Sequence, residues 1–244
     1  MRNIPLSNTR RAARLGALLA LSALACASSL RAQRVVPVHE EPRHSLMFEG
    51  GGLRVLDVQI APGDTSLYHL HATPILYTSV SVSRTIEQLV GGDWPPPGTP
   101  PILQWVVGRT LSDTIYPVRP KSHRVTNIGT TLFRLIAVVT TEGTPRPFTT
   151  PIGNELLGAP ELSNSWFRQT RVTLAPGDTS PYKQATRTVV AILPMSGSAT
   201  IERDGGPATV LSTKGAFTVI VAGTRYRLRH EPGPAAEVVL VQPH

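Results

Sequence analysis

Along this 244-residue chain, apolar residues recur at every second position in short runs that stop at glycine, proline or aspartate. Arg54, Leu56, Val58 and Ile60 fall on one side of an extended segment, and Ala61-Pro62-Gly63-Asp64 after them is a turn sequence. Further strands are expected over 75–82, 102–107, 124–127 and 132–139. In the second half they are expected over 168–174, 189–193, 199–202, 209–211, 217–221, 226–229 and 237–241. Asp204-Gly205 marks a hairpin. Residues 91–98 contain Pro95-Pro96-Pro97, which no central strand tolerates, so they form a loop. No segment keeps a 3.6-residue apolar period over three turns. The pattern predicts an all-β protein.

One stretch occurs twice. Residues 58–71 and 172–185 share a strand, the turn Ala-Pro-Gly-Asp-Thr-Ser and a tyrosine (Tyr68, Tyr182), but the first copy carries His69 and His71 where the second has Lys183 and Ala185. Residues 142–162 are rich in Thr, Pro and Gly and read as a linker. The expected organisation is an N-terminal β-domain over 33–141, the linker, and a C-terminal β-domain over 163–244, each a small barrel or sandwich.

Residues 1–32 stand apart from that pattern. Arg2, Arg10, Arg11 and Arg14 precede a short apolar run over 15–24 and then small residues, the layout of a signal peptide, with cleavage expected after Ala32 or, alternatively, Ala27. The apolar run is too short to span a bilayer, which takes about 20 residues. Thr9-Arg10-Arg11 hints at twin-arginine export. An exported protein, periplasmic or secreted, is expected, with a lipid anchor on Cys26 as the alternative. Cleavage after Ala32 would remove Cys26, the one cysteine, and with it disulfides and thiolate chemistry.

The formal charge of +8 changes in the same way. Five of the 24 basic residues lie in 1–32, which leaves 19 against 16 acidic ones, or +3. No basic run interleaved with aromatics appears, so no nucleic-acid partner is expected. Ser-His-Asp spacing, a phosphate loop and paired carboxylates are not found either.

Chemistry concentrates in the first domain. Residues two apart on a strand point to the same side, so His69 and His71 project together. Imidazole is a favoured ligand for zinc, copper, iron and nickel, and a third ligand would complete a face. His123, just before a predicted strand, is the candidate. Here the chain resembles the cupin superfamily, in its two-domain bicupin form. Cupins carry Gly, five residues, then His-x-His, as in Gly63 through His71. Their second motif, Pro-x-Gly-x-x-His-x-x-x-Asn, is matched by Val118 through Asn127, with Val and Pro at the first two conserved places. In the C-terminal half, residues 215–230 follow the second motif with Tyr226 at the histidine position and His230 at the asparagine position.

The resemblance implies two tandem cupin-type jelly-roll β-barrels. The first would hold a divalent metal ion (Fe, Zn, Cu, Ni or Mn) on His69, His71 and His123, and the second would be degenerate and metal-free. Cupins that bind metal usually add a glutamate where this chain has Ile75 and Leu76, so three neutral histidines remain. Such a set resembles thiol dioxygenases with ferrous iron, and it also suits zinc and hydrolysis. A small-molecule oxygenase or hydrolase is implied, the alternative being a non-catalytic ligand-binding or structural module. Cupins often dimerise, so a homodimer is a further expectation.

Other residues carry less. His39 and His244 lie near the ends of the domains, and His44 precedes the first strand. Tyr68 and Tyr182 alternate away from the histidine face and suit packing. Trp94 and Trp105 fit a pocket mouth or packing, and Arg84, Arg109 and Arg119 read as exposed cations or anion contacts.

Overall fold

The computed structural model describes residues 34–244 except 97, 99–102, 142–143 and 146–147. Residues 1–32, expected to be a signal peptide, and Cys26 within them lie outside the described residues. From Val35 to His244 the chain forms one compact unit, made almost wholly of strands.

The first half contains β1 (Val35–Pro37), β2 (His44–Gly50), β3 (Leu53–Ile60), β4 (Tyr68–His71), β5 (Ile75–Ser79), β6 (Ser83–Leu89), β7 (Leu103–Trp105), β8 (Thr110–Asp113), β9 (Lys121–Asn127) and β10 (Phe133–Thr140). The second contains β11 (Ala159–Ser163), β12 (Phe167–Leu174), β13 (Lys183–Gln184), β14 (Val189–Ile192), β15 (Ala199–Arg203), β16 (Thr209–Leu211), β17 (Phe217–Ile220), β18 (Arg225–His230) and β19 (Ala236–Pro243). Strands form four sheets, ordered β1-β4-β9-β6-β7, β2-β3-β10-β5-β8, β11-β12-β19-β14-β17 and β13-β18-β15-β16. Shifting each strand number by nine converts the first half into the second, and among the described residues β1 alone has no counterpart. The repeat seen over 58–71 therefore runs through the whole topology.

The repeated turns show why these residues were legible. Pro62 and Pro176 preset φ at the second turn position, and Gly63 and Gly177 take φ of 77° and 87° at the third. Asp64 N–H and Asp178 N–H close the turns on Ala61 and Ala175 carbonyls at 3.0 and 2.9 Å.

Strand alternation stacks the sheets in layers. On β3, Leu56, Val58 and Ile60 face the first half's interior, together with Phe133, Leu135 and Ala137 of β10. Leu53, Val55, Ile136 and Val138 face the other way and pack against Phe167, Val190, Ile192, Val239 and Val241 of the second half. Both middle sheets are thus buried on two faces. Arg171 reaches across to the Gly108 carbonyl at 2.8 Å, and Arg134 to the Lys214 carbonyl at 3.0 Å.

Two expectations shift in detail. The run read as one strand over 75–82 ends at Ser79, and a separate strand, β6, follows. Segment 142–162, read as a linker, holds a helical turn, α1 (Ile152–Glu155), and β11, and its Leu156 and Leu157 are built into the second core. Among the described residues no helix is long and apolar enough to cross a membrane.

Candidate metal centre

β4 and β9 pair antiparallel with His69 opposite His123, so the two motifs meet across one ladder. His71, two residues along β4, shares their inward face. All three rings are buried, at 1%, 3% and 7% exposure, which decides against solvated surface histidines. Their ligand atoms lie within 4.8 Å of one another.

The outer hydrogen bonds define which nitrogen faces inward. His69 Nδ1–H donates to the Leu67 carbonyl at 3.0 Å, and His123 Nδ1–H donates to Glu87 Oε2 at 2.8 Å. Both rings therefore turn Nε2 to the centre. His71 Nε2 stands 3.1 Å from His123 Nε2, and His71 Nδ1 is buried without a partner among the described residues. Two donors about 2.0–2.1 Å from one ion, at close to a right angle, are separated by this distance. Three imidazole nitrogens on one face fit a divalent ion.

Burial sets the electrostatics. It holds His69 down at about 2, with His44 and His123 nearby adding to the effect. His71 is pushed well below the usual imidazole range, again by burial first and then by its histidine neighbours. Both rings stay neutral, the form that coordinates metal. The Glu87 carboxyl is brought down to about 2, chiefly by the hydrogen bond from His123 and further by Lys121, against the opposing effect of burial.

A cavity of about 190 Å³ opens from this cluster between the two sheets of the first half. Its histidine end also carries Glu87, Lys121, Tyr116 and Asp113, whereas its walls are Leu56, Ile60, Leu103, Trp105, Phe133 and Leu135. Trp105 donates its indole N–H to Thr85 at 3.1 Å and lines the wall. Burial raises both Tyr77 and Tyr116 well above the ordinary phenol range, so both keep their protons.

Several residues the motifs did not point to belong here. His44 opens β2, lines the cavity and packs edge-on against His69 with ring centroids 4.6 Å apart. Its Nδ1–H donates to the Val38 carbonyl at 2.9 Å. Ile75 lines the cavity and Leu76 points to the opposite face, so no carboxylate enters from the usual glutamate position. Glu87 comes instead from β6. The remaining candidates lie elsewhere: Tyr68 donates to Gln88 at 2.7 Å, and Arg124 stacks on Tyr68 and Trp94. Arg109 donates to the Gln104 carbonyl, Arg84 and Arg119 are exposed, His39 is partly exposed, and His244 lies against Trp166.

The second half repeats the frame with other contents. Lys183 pairs with Tyr226 in the register that His69 and His123 occupy in the first half. Tyr226 is fully buried among Leu156, Leu157, Leu193, Ile201 and Leu228, so apolar side chains fill that interior. His230, at the asparagine position, bonds to the Pro234 carbonyl at 2.9 Å.

Paired sheets in each half, the nine-strand repeat and histidines converging from β4 and β9 define a double-domain jelly roll of the cupin fold. Solved structures agree on the fold. AerE from Microcystis aeruginosa matches with a TM-score of 0.59 at 12% identity, covering 85% of this chain and 96% of that one. A cupin 2 conserved barrel domain protein from Leptotrichia buccalis gives 0.52 at 10%, covering 82% and 87%. Salicylate 1,2-dioxygenase from Pseudaminobacter salicylatoxidans gives 0.54 at 10%, covering 79% and 71%, and a glycine-to-alanine mutant of it is seen in complex with gentisate. No protein-family model and no curated protein matches the chain.

Proposed function

We propose that the first half is a metal-dependent oxygenase site for a small, largely apolar molecule, in a protein that acts outside the cytoplasm. The observation that carries this is the pairing of three buried imidazoles with a cavity walled largely by apolar side chains. A bound redox-active ion such as ferrous iron would supply the dioxygen chemistry. His69, His71 and His123 would hold it, and Leu56, Ile60, Trp105 and Phe133 would seat the apolar body of the substrate beside it. Hydrolysis on zinc is less favoured, because the two carboxylates at the histidine end are already engaged, Glu87 by His123 and Lys121 and Asp113 by the Ile115 N–H and Tyr116. The fold shared with a salicylate dioxygenase supports the reading, and the basic-then-apolar residues 1–32 support export.

Elemental analysis of the tag-free protein beside His69→Ala and His123→Ala is the test. Near-stoichiometric iron that disappears in both variants, with oxygen uptake on a panel of small aromatic and aliphatic acids, is expected. Zinc in its place would turn the reading to hydrolysis. Bound metal with no turnover would make the site a ligand-binding module, and failure to bind any of iron, zinc, copper, nickel or manganese would sink the metal centre.

A further inference from the structure

Of the three candidate ligands, His123 alone has a charged group behind it. Glu87 Oε2 accepts its Nδ1–H at 2.8 Å, and Lys121 Nζ donates to both oxygens of the same carboxylate at 2.6 and 2.8 Å. His69 has a backbone carbonyl in that place, and His71 Nδ1 has no partner among the described residues. Strand parity makes the cluster. Lys121 and His123 are two apart on β9, and Glu87 of β6 lies opposite Val125, diagonal to His123 on the same inward face.

We propose that Glu87 is a positioning residue of the metal centre, fixing His123 as the Nδ1–H tautomer so that Nε2 offers its lone pair, with Lys121 clamping the carboxylate in place. A neutral imidazole carries one N–H. Whichever nitrogen gives that proton to a strong acceptor leaves the other as the donor atom for metal. The carboxylate that the cupin ligand set lacks at Ile75 and Leu76 thereby returns one bond further out. From there it orients a ligand and raises its basicity without occupying a coordination position.

The inference rests on the metal reading above, and two readouts separate them. Zinc affinity would be measured by competition with a chromophoric chelator for the wild type, Glu87→Ala, Glu87→Gln and, as a remote control, Glu202→Gln. The tautomer of His123 would be read by nitrogen-15 NMR in the metal-free proteins. Glu87→Ala should weaken zinc binding about 10–100-fold, the range for loss of such an outer partner. It should also move the His123 proton partly to Nε2. Glu87→Gln, which keeps an acceptor oxygen, should lose less, and Glu202→Gln should lose nothing. Unchanged zinc affinity in Glu87→Ala, or weaker binding with the tautomer unchanged, would overturn the proposal. Should Glu87→Ala fail to fold, Glu87→Leu, which removes the acceptor while keeping bulk, decides, and wild-type values for both readouts would overturn it. If the wild type binds none of iron, zinc, copper, nickel or manganese, the metal reading fails alone. The tautomer would then still show whether Glu87 sets the His123 ring.

Discussion

At the scale of single residues, the site places imidazoles where water cannot solvate their charged form. His69 titrates at about 2 in the fold, whereas an unfolded histidine titrates near 6.5. The unfolded chain therefore takes up a proton first as pH falls. The stability tied to the neutral ring is complete above pH about 6.5 and is lost progressively as pH drops from there toward 2, at about 1.4 kcal/mol per pH unit for each fully shifted group. His71 is shifted in the same direction by its burial. Urea unfolding of the metal-free protein should therefore show stability falling between pH 7 and pH 5, and the fall should be shallower in His69→Gln. Equal slopes in the two proteins would remove His69 as a cause.

Among the elements, strand alternation explains both what the sequence pattern revealed and what it hid. The run over 226–229 corresponds to β18 because its inward residues, Tyr226 and Leu228, are apolar and its outward ones, Arg227 and Arg229, are polar. β6 escaped the same reading because its inward residues are Ser83, Thr85 and Glu87, polar groups facing the histidine cavity or its border. A functional face breaks the alternation from which strands are recognised, so the element carrying the most informative carboxylate shows no strand pattern in the sequence. The ligand histidines were legible for the opposite reason: their spacing is fixed by the pleat. Similarly, β1 left little pattern because it is only three residues long, yet it runs parallel to β4 with Val36 beside His69. The chain then turns at Glu41, which is 1% exposed and accepts the Leu67 N–H at 2.9 Å and the Arg43 N–H at 2.6 Å. This carboxylate pins the approach to the histidine strand. Glu41→Ala should lower unfolding free energy by about 1–3 kcal/mol, the usual consequence of orphaning buried donors. Amide exchange at Leu67 should quicken as well, and exchange at the wild-type rate would show that β1, not Glu41, holds the strand.

For the molecule as a whole, the decisive surface is the apolar layer between the halves. Leu53, Val55, Ile136 and Val138 on one side and Phe167, Val190, Ile192, Val239 and Val241 on the other form a core belonging to neither half alone. Each middle sheet needs the other to cover its outer face, while Arg171 and Arg134 bridge the rim to Gly108 and Lys214 carbonyls. The second half, whose interior is packed with leucines and Tyr226, thus backs the sheet that forms one wall of the first half's cavity. Cooperative unfolding follows from that shared layer, since separating the halves exposes two large apolar faces at once. Ile192→Ala tests this from the side remote from the histidines. Ile192 is fully buried, so the truncation should cost about 2–5 kcal/mol. The methyl signals of Leu56 in the first core and Leu228 in the second should then shift to the same lower urea midpoint. If Leu228 moved while Leu56 kept its wild-type midpoint, the halves would be independent domains, and the wall behind the metal centre would owe nothing to its partner.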